Sequence, residues 1–385
     1  MSTKKEKIYQ FDILLFLLIM LGELSKTYII STLGNLTMLN NFIQIPLYLG
    51  LFFLIIEKKY SRKQVALFVA LGLLLFIGYI KSEQAAYFRG LLLILGAKDV
   101  PFKRIARVCR NAMSSTFLFT VALWILGISD SGLSNKGKAA FGYGHPNITA
   151  QTIMIILFLW LAEKEEVRGK DYAAFEIMAL VIILFTGSKT VALIMVLTPV
   201  VIGVCKWNLN KKGKSIKFIN FLMESSQFAV LLFTWWAVKM LPNLPFLKAL
   251  DLIVTNRLFL NYYLFNKYDL KWFGQNVSLH ESAGVYNNIQ DEWNAIITCD
   301  NTYALSLLIM GIIPTAIFLL GYILIIRKAI VEREHAVIVI AFLMAFYAFC
   351  ESQMVEIYYN FAYLYILALP ATHRRERMKI AVYDT

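Results

Sequence analysis

Long apolar blocks follow one another along almost the whole chain, from Phe11 to Pro370. A helix that crosses a bilayer needs about 20 mostly apolar residues, because it must pass through roughly 30 Å of hydrocarbon. The chain has 385 residues, of which 59% are hydrophobic, and the excess over a soluble domain is concentrated in these blocks. The sequence therefore predicts an all-α polytopic membrane protein with about twelve transmembrane helices.

The blocks also predict how the chain is organised. We treat residues 1–385 as a single membrane-embedded domain, in which residues 241–301 form a large extracytoplasmic loop. The aromatic and aliphatic side chains of this loop predict short interfacial helices. The predicted spans are residues 10–30, 41–57, 64–80, 85–97, 113–128, 147–163, 172–187, 190–205, 222–240, 303–326, 336–350 and 355–370.

The distribution of Lys and Arg predicts that both termini are cytoplasmic. If the N-terminus lies inside and every block crosses, the inner segments hold 27 of the 38 Lys and Arg residues. Short cytoplasmic loops are enriched in these residues, so the bias agrees with this topology. We therefore interpret the net charge of +13 as a topology signal, and we expect no nucleic-acid partner.

Several common kinds of active site have no sequence signature here. The four cysteines are scattered, and the sequence contains no CxxC, no HExxH and no complete phosphate-binding P-loop. No predicted inner segment is long enough to fold a nucleotide-binding domain. We expect no metal and no cofactor.

Polar residues near predicted spans are costly in a membrane and are functional candidates by default. Lys136, Lys138, His145 and Asn147 lie in the outer loop that leads into the sixth span. Backbone amides at the start of a helix, with lysines nearby, suit a phosphate group. The alternative is a flexible loop with solvated lysines that precedes a capped helix.

Two further basic residues are candidates for anion binding. Lys189 lies in a hairpin too short to leave the membrane surface, so it either extends to the interface or faces a polar cavity. Arg257 is the only arginine of the long outer loop, and a guanidinium holds phosphate in a bidentate fork. A solvated or lipid-bound arginine is the simpler interpretation of Arg257.

The long loop enters the tenth span through Asp300, Asn301 and Tyr303. A carboxylate fixed at a helix end beside an aromatic ring suits a general base, whereas Asp or Asn at this place also suits a helix cap. Glu351, in the turn before the last span, either lines the same cavity or lies at the membrane interface.

The pattern resembles bacterial polysaccharide polymerases of the Wzy type. Each motif is short, and their order and placement along nearly the whole chain carry the resemblance. The motifs are Gly96–Lys103, Phe141–Asn147, Thr186–Lys189, Arg257 with Phe273 and Gly274, and Asp300–Gly311. The family's usual Ser-Arg in the short hairpin is Ser188-Lys189 here, which keeps the positive charge but not the bidentate fork.

The resemblance implies a helical core similar to GT-C glycosyltransferases and O-antigen ligases, located in the bacterial cytoplasmic membrane. It implies metal-independent, inverting glycosyl transfer between oligosaccharide repeat units linked to undecaprenyl diphosphate. Asp300 and Arg257 are then the catalytic candidates. The substrate-binding candidates are Lys136, Lys138, His145, Asn147, Lys189, Asn301, Tyr303 and Glu351. Membrane lipid, and a flippase and a chain-length regulator of the same pathway, are the partners that the family implies.

Three other functions fit the same topology. An O-antigen-type ligase would use the same donor with a different acceptor, although the residue that matches Asp300 is typically a histidine in that family. A flippase for lipid-linked oligosaccharides would carry charge along a central pathway, whereas the charged candidates here lie towards the outer face. A structural subunit of an envelope complex would need no such residues.

Overall fold

The computed structural model describes residues 2–32, 34–129, 137–209, 214–254, 256–279, 282–287, 290–296 and 298–370. Within these ranges the chain is mostly helical. The helices are α1 (Ser2–Leu24), α2 (Tyr28–Thr32), α3 (Gly34–Ile56), α4 (Arg62–Ser82), α5 (Ala86–Gly96), α6 (Phe102–Ile125), α7 (Pro146–Glu163), α8 (Gly169–Phe185), α9 (Lys189–Leu209), α10 (Lys214–Met240), α11 (Pro245–Ile253), α12 (Arg257–Lys267), α13 (Thr302–Leu305), α14 (Ile312–Val331) and α15 (His335–Tyr347).

In the described part of the chain, seven helices are long and apolar enough to cross a membrane. They lie in α3, α4, α6, α7, α9, α10 and α14. The apolar helices α5 and α15 are shorter. The prediction of a multi-pass membrane protein is thus confirmed, whereas the figure of about twelve spans stays a prediction.

The chain alternates direction, so that the segments predicted to lie outside meet at one end of the helices. There Tyr28 N–H donates to Gly142 O at 2.9 Å, and Ala139 N–H donates to Phe185 O at 3.0 Å. At the opposite end Lys58 Nζ donates to Lys98 O at 2.7 Å. We call these the outer and the inner end, following the predicted topology.

The tenth predicted span is not one continuous helix. It begins with α13, continues as a π-helical turn (Ser306–Met310), and breaks at Gly311 before α14. Gly311 has φ +98°, and it lies against Gly274 of the outer loop, which has φ +82°. A Cβ atom on Gly274 would lie 2.0 Å from Ile309 O, so the two backbones approach as closely as glycine allows.

The last predicted span, residues 355–370, contains no α-helix. It returns from the outer end to the inner end through irregular backbone and a 3₁₀ helix (Phe361–Ile366). Non-helical backbone is tolerated at membrane depth only where protein surrounds it. Tyr359, Phe361 and Tyr365 are fully buried, and Lys328 Nζ binds Ala368 O at 2.6 Å, which meets this condition.

The long outer loop contains the two short helices expected there, α11 and α12. Phe246, Leu252 and Ile253 of α11 have exposed side chains, which suits a helix at a membrane interface. The loop also contains a hairpin that was not expected in an all-α protein: β1 (Ser282–Asn287) pairs antiparallel with β2 (Gln290–Ile296). A second hydrophobic cluster, beside the main core, lies beneath α11 and α12 and holds them against α10.

Candidate functional site

Arg257 is the first residue of α12, and the chain around it fixes the direction in which it projects. Asn256, just before the helix, adopts the left-handed conformation with φ +62°. The buried Asp251 Oδ1 accepts hydrogen bonds from the backbone N–H groups of Leu258 at 2.8 Å and Phe259 at 3.3 Å. Asp251 thus satisfies two amides that a helix start leaves unpaired, and it anchors the first turn of α12.

The guanidinium of Arg257 is surrounded by groups from two other parts of the chain. Its Nη1 donates to the carbonyl oxygen of Cys350, and its Nη2 lies 3.2 Å from Glu351 Oε1. Its Nε lies 4.0 Å from Asp300 Oδ2. The structure therefore brings together Arg257, Asp300 and Glu351, which the sequence placed 43 and 51 residues apart.

The two carboxylates of this cluster differ in environment. The Glu351 side chain is only 11% exposed, whereas that of Asp300 is 40% exposed. Burial raises the pKa of the Glu351 carboxyl to about 7, against the lowering effect of Arg257 and with a further raising effect of Asp300. Glu351 is thus the buried partner of the guanidinium, while Asp300 is the partner that is exposed to solvent.

Asn301 and Tyr303, both predicted to bind substrate, have their side chains occupied inside the protein. Asn301 Oδ1 accepts from the N–H groups of Tyr303 at 2.9 Å and Ala304 at 3.0 Å, which makes it the N-cap of α13. Tyr303 is fully buried and donates its hydroxyl to Ala345 O at 2.7 Å. These hydrogen bonds satisfy polar groups that the start of a short helix would otherwise leave unpaired in a membrane. Both residues thereby position the segment that carries Asp300.

The loop before α7 contributes His145 to the outer end. His145 is the N-cap of this helix, and its Nδ1 accepts from the N–H of Asn147 at 3.1 Å. Loss of hydration lowers the pKa of His145, while the nearby Asp300 raises it and Arg257 lowers it. The imidazole of His145 is therefore close enough to Arg257 and Asp300 to respond to both charges. Asn147 contributes its backbone N–H to the cap at the start of α7.

The short hairpin between α8 and α9 lies against the same region. Lys138 packs on Gly187, where a Cβ atom would lie 2.6 Å from Lys138 Cε. Lys189 is exposed at the start of α9, and its neighbour Thr190 hydrogen-bonds Cys350, the residue whose carbonyl receives Arg257. Lys138 thus lies against this hairpin, whereas the Lys189 side chain lines a groove between α8 and α9 together with Glu176 and Leu180. Lys136 lies outside the described residues.

Sequence reasoning missed two contributors to this region. Asp251 anchors α12 from seven residues upstream of its bonding partner Leu258, a spacing that matches no cap motif. The carbonyl of Cys350 is a backbone group, for which a sequence gives no signal.

The arrangement supplies the parts of a reaction at an anionic group. The guanidinium of Arg257 lies 4.0 Å from the partly exposed carboxylate of Asp300 and 3.2 Å from the buried carboxyl of Glu351, and His145 is close enough to respond to Arg257 and Asp300. In the described part of the chain, no group of His, Cys, Asp and Glu residues is arranged to hold a metal ion.

The comparisons with known proteins found no match: no family model, no curated protein and no solved structure is significantly similar to this chain.

Proposed function

We propose that this chain is a membrane-embedded glycosyltransferase that joins oligosaccharide repeat units linked to undecaprenyl diphosphate. Its product would be a capsular, exo- or O-antigen polysaccharide, made on the outer face of a bacterial cytoplasmic membrane. The observation that carries the proposal is the Arg257 cluster, in which the guanidinium lies 4.0 Å from Asp300 and 3.2 Å from Glu351 at the outer end of the helices.

In the proposed reaction the hydroxyl oxygen of the acceptor attacks the anomeric carbon of the donor. The bond between that carbon and the diphosphate oxygen breaks, and undecaprenyl diphosphate leaves with the electron pair. Asp300 takes the hydroxyl proton, which suits the more exposed of the two carboxylates. Direct displacement inverts the anomeric carbon.

Negative charge grows on the oxygen of the leaving diphosphate. Arg257 is the donor best placed to stabilise it, with His145 close enough to respond to the charge of Arg257. A preorganised cation is worth more in a site that excludes water than in bulk solvent. Arg257 is also held by the carbonyl of Cys350, so the guanidinium keeps its orientation when its carboxylate partner changes.

Glu351 and the diphosphate are both anionic groups that bind Arg257, and protonation of Glu351 removes their competition in this proposal. In the resting protein it pairs with Arg257, and an incoming diphosphate competes with it for the same nitrogen atoms. Because its pKa is about 7, Glu351 becomes neutral at little cost when a second anion arrives. The guanidinium is then free to turn its charge towards the diphosphate.

The test is the glycan pattern of cells whose own copy is deleted, complemented by wild type, Asp300→Asn or Arg257→Ala. Arg168→Ala is a matched control, because Arg168 is exposed at the predicted inner end. Protein amount in the membrane is measured for every variant. We expect the deletion and both site variants to lose the polymer ladder and to accumulate single lipid-linked units on the outer leaflet.

Each other outcome removes part of the proposal. A normal ladder from both site variants removes Arg257 and Asp300 as catalytic residues. Units trapped on the inner leaflet of the deletion strain identify a flippase instead, and an intact polymer that fails to reach its final acceptor identifies a ligase. A ladder in the deletion strain removes the polymerase altogether.

A further inference from the structure

A cavity opens at the outer end of the helices, beside α12. It has a volume of about 710 Å³ and lies between the outer end of α10, the turn that follows it, and the segment from Tyr262 to Leu270. Small-molecule sites in proteins usually have volumes of roughly 300–1,000 Å³. The cavity is thus large enough for a ligand of several ring units.

The side chains that line this cavity combine aromatic rings with neutral and charged polar groups. Trp235, Tyr262 and Tyr268 supply rings, and Asn243, Asn266 and Asp269 supply hydrogen-bond donors and acceptors. A pyranose has the matching chemistry, because its C–H face packs on an aromatic ring while its hydroxyls both donate and accept hydrogen bonds. Phe265 packs edge-on against Trp235 and holds the indole in place.

The charge of the cavity also selects between ligands. Lys239 Nζ lies 4.3 Å from the ring centre of Trp235, Lys267 Nζ lies 5.4 Å from that of Tyr268, and Asp269 lines the same cavity, so groups of both charges are present. A phospholipid phosphate would be attracted by the lysines but repelled by Asp269. A ligand rich in hydroxyls uses both groups, since carboxylate and ammonium both bind hydroxyls.

Helix geometry relates this cavity to the candidate active site. Tyr262 and Asn266 follow Arg257 by five and nine residues, which places them about 8 and 14 Å further along α12 and roughly on its opposite face. The reacting bond at Arg257 is therefore outside this cavity. Helix α12 nevertheless connects the Arg257 cluster to the cavity. If the reacting end of a long glycan lies at Arg257, the sugars that reach the cavity are those far from that end.

From these observations we infer that the cavity lined by Trp235, Tyr262 and Asp269 binds distal sugars of the oligosaccharide chain. This inference rests on the proposed function. A site that holds the chain apart from the reacting bond slows the escape of the chain between successive additions. Loss of the site would shorten the polymer without preventing the formation of each new bond.

The first experiment measures chain length in the complemented deletion strain. The first variant is Trp235→Ala. The second is the double variant Asn266→Ala/Asp269→Ala, in which both of the replaced side chains are exposed. The matched control is Trp272→Ala, because Trp272 is 66% exposed in the same loop and does not line the cavity. We expect both cavity variants to make polymer whose most abundant length is at least twofold shorter, while Trp272→Ala keeps the wild-type distribution.

The second experiment measures binding to the purified full chain in detergent. The probe is a fluorescently labelled oligosaccharide, obtained by partial acid hydrolysis of polymer from the wild-type cells. We expect the double variant to bind it at least tenfold more weakly than wild type, whereas Arg257→Ala keeps most of the affinity. Vesicle lipid that competes with the probe as well as free oligosaccharide does would identify a lipid site and overturn the inference.

The outcomes separate this inference from the proposed function. A wild-type chain-length distribution in both cavity variants overturns the cavity's role while leaving the polymerase intact. Complete loss of the ladder in the double variant, with the protein present in the membrane, also overturns it, because the cavity would then belong to the bond-forming step. A ladder in the uncomplemented deletion strain instead removes the proposed function.

Discussion

The contact between Gly274 and Gly311 yields the sharpest prediction about stability. In a Gly274→Ala variant the new Cβ would lie 2.0 Å from Ile309 O and 2.7 Å from the carbonyl atoms of Met310. The backbones must move apart, which breaks the hydrogen bond from Gln275 N–H to Ile309 O and weakens the one from Ile313 N–H to Trp272 O. The outer loop would then no longer be fixed to the start of α14.

The magnitude has two parts. A non-glycine residue at φ +82° costs about 1–2 kcal/mol in any surroundings. Loss of two backbone hydrogen bonds adds about 1–3 kcal/mol, since each contributes about 0.5–1.5 kcal/mol net. The total of roughly 2–5 kcal/mol should lower the apparent melting temperature by roughly 4–10 °C, at about 2 °C for each kcal/mol in a chain of this size.

The assay is thermal unfolding of the purified protein in detergent, followed by the fraction that remains monodisperse. The matched control is Gly127→Ala, because Gly127 also has a positive φ, +69°, but a Cβ atom there would meet nothing within 4 Å. The control should lose only the conformational part, about 1–2 kcal/mol. Equal melting temperatures for the two variants would refute the steric argument, and with it the interpretation of the glycine contact as a structural lock.

Three further predictions concern the candidate site. Arg257→Lys should reduce polymer yield at least about tenfold in the complementation assay, because one ammonium group cannot replace a guanidinium that binds both the Cys350 carbonyl and Glu351. A wild-type yield from this variant would show that the positive charge alone suffices. Asp251→Asn should keep the wild-type polymer yield, because the new amide oxygen still accepts a hydrogen bond from Leu258 N–H. Asp251→Ala should reduce the yield about tenfold at equal protein amount. Equal yields from the two variants would show that Asp251 does not position Arg257. In the folded protein the pKa of Glu351 is about 7, above its ordinary value of 4.5, so the folded state binds the proton more tightly than the unfolded state does. The free energy of unfolding should therefore fall as the pH rises from about 4.5 to about 7, by up to about 3 kcal/mol. Glu351→Gln should remove this slope in thermal unfolding measured from pH 4.5 to 8, and an unchanged slope would assign it to another group.

The sequence determined the broad architecture because hydrocarbon thickness and backbone hydrogen bonding leave few choices for a chain with such long apolar blocks. It also placed the start of α7 within one residue, since the predicted span begins at residue 147 and the helix begins at Pro146. Short helices were predicted in the outer loop, where α11 and α12 lie. Gly274 and Gly311 belong to the motifs that carry the resemblance, but their contact with each other was not foreseen.

Tertiary structure decided what depends on contacts between distant parts of the chain. The last predicted span is irregular backbone, which is stable only because surrounding helices bury it, and no local pattern reports that burial. Asn301 and Tyr303 looked like ligands for a substrate, yet partners from other segments occupy their side chains. The sequence by itself determined which residue types reach the outer end; only the fold decided that Glu351 is buried against Arg257, because pairing and desolvation depend on the three-dimensional neighbours of a side chain.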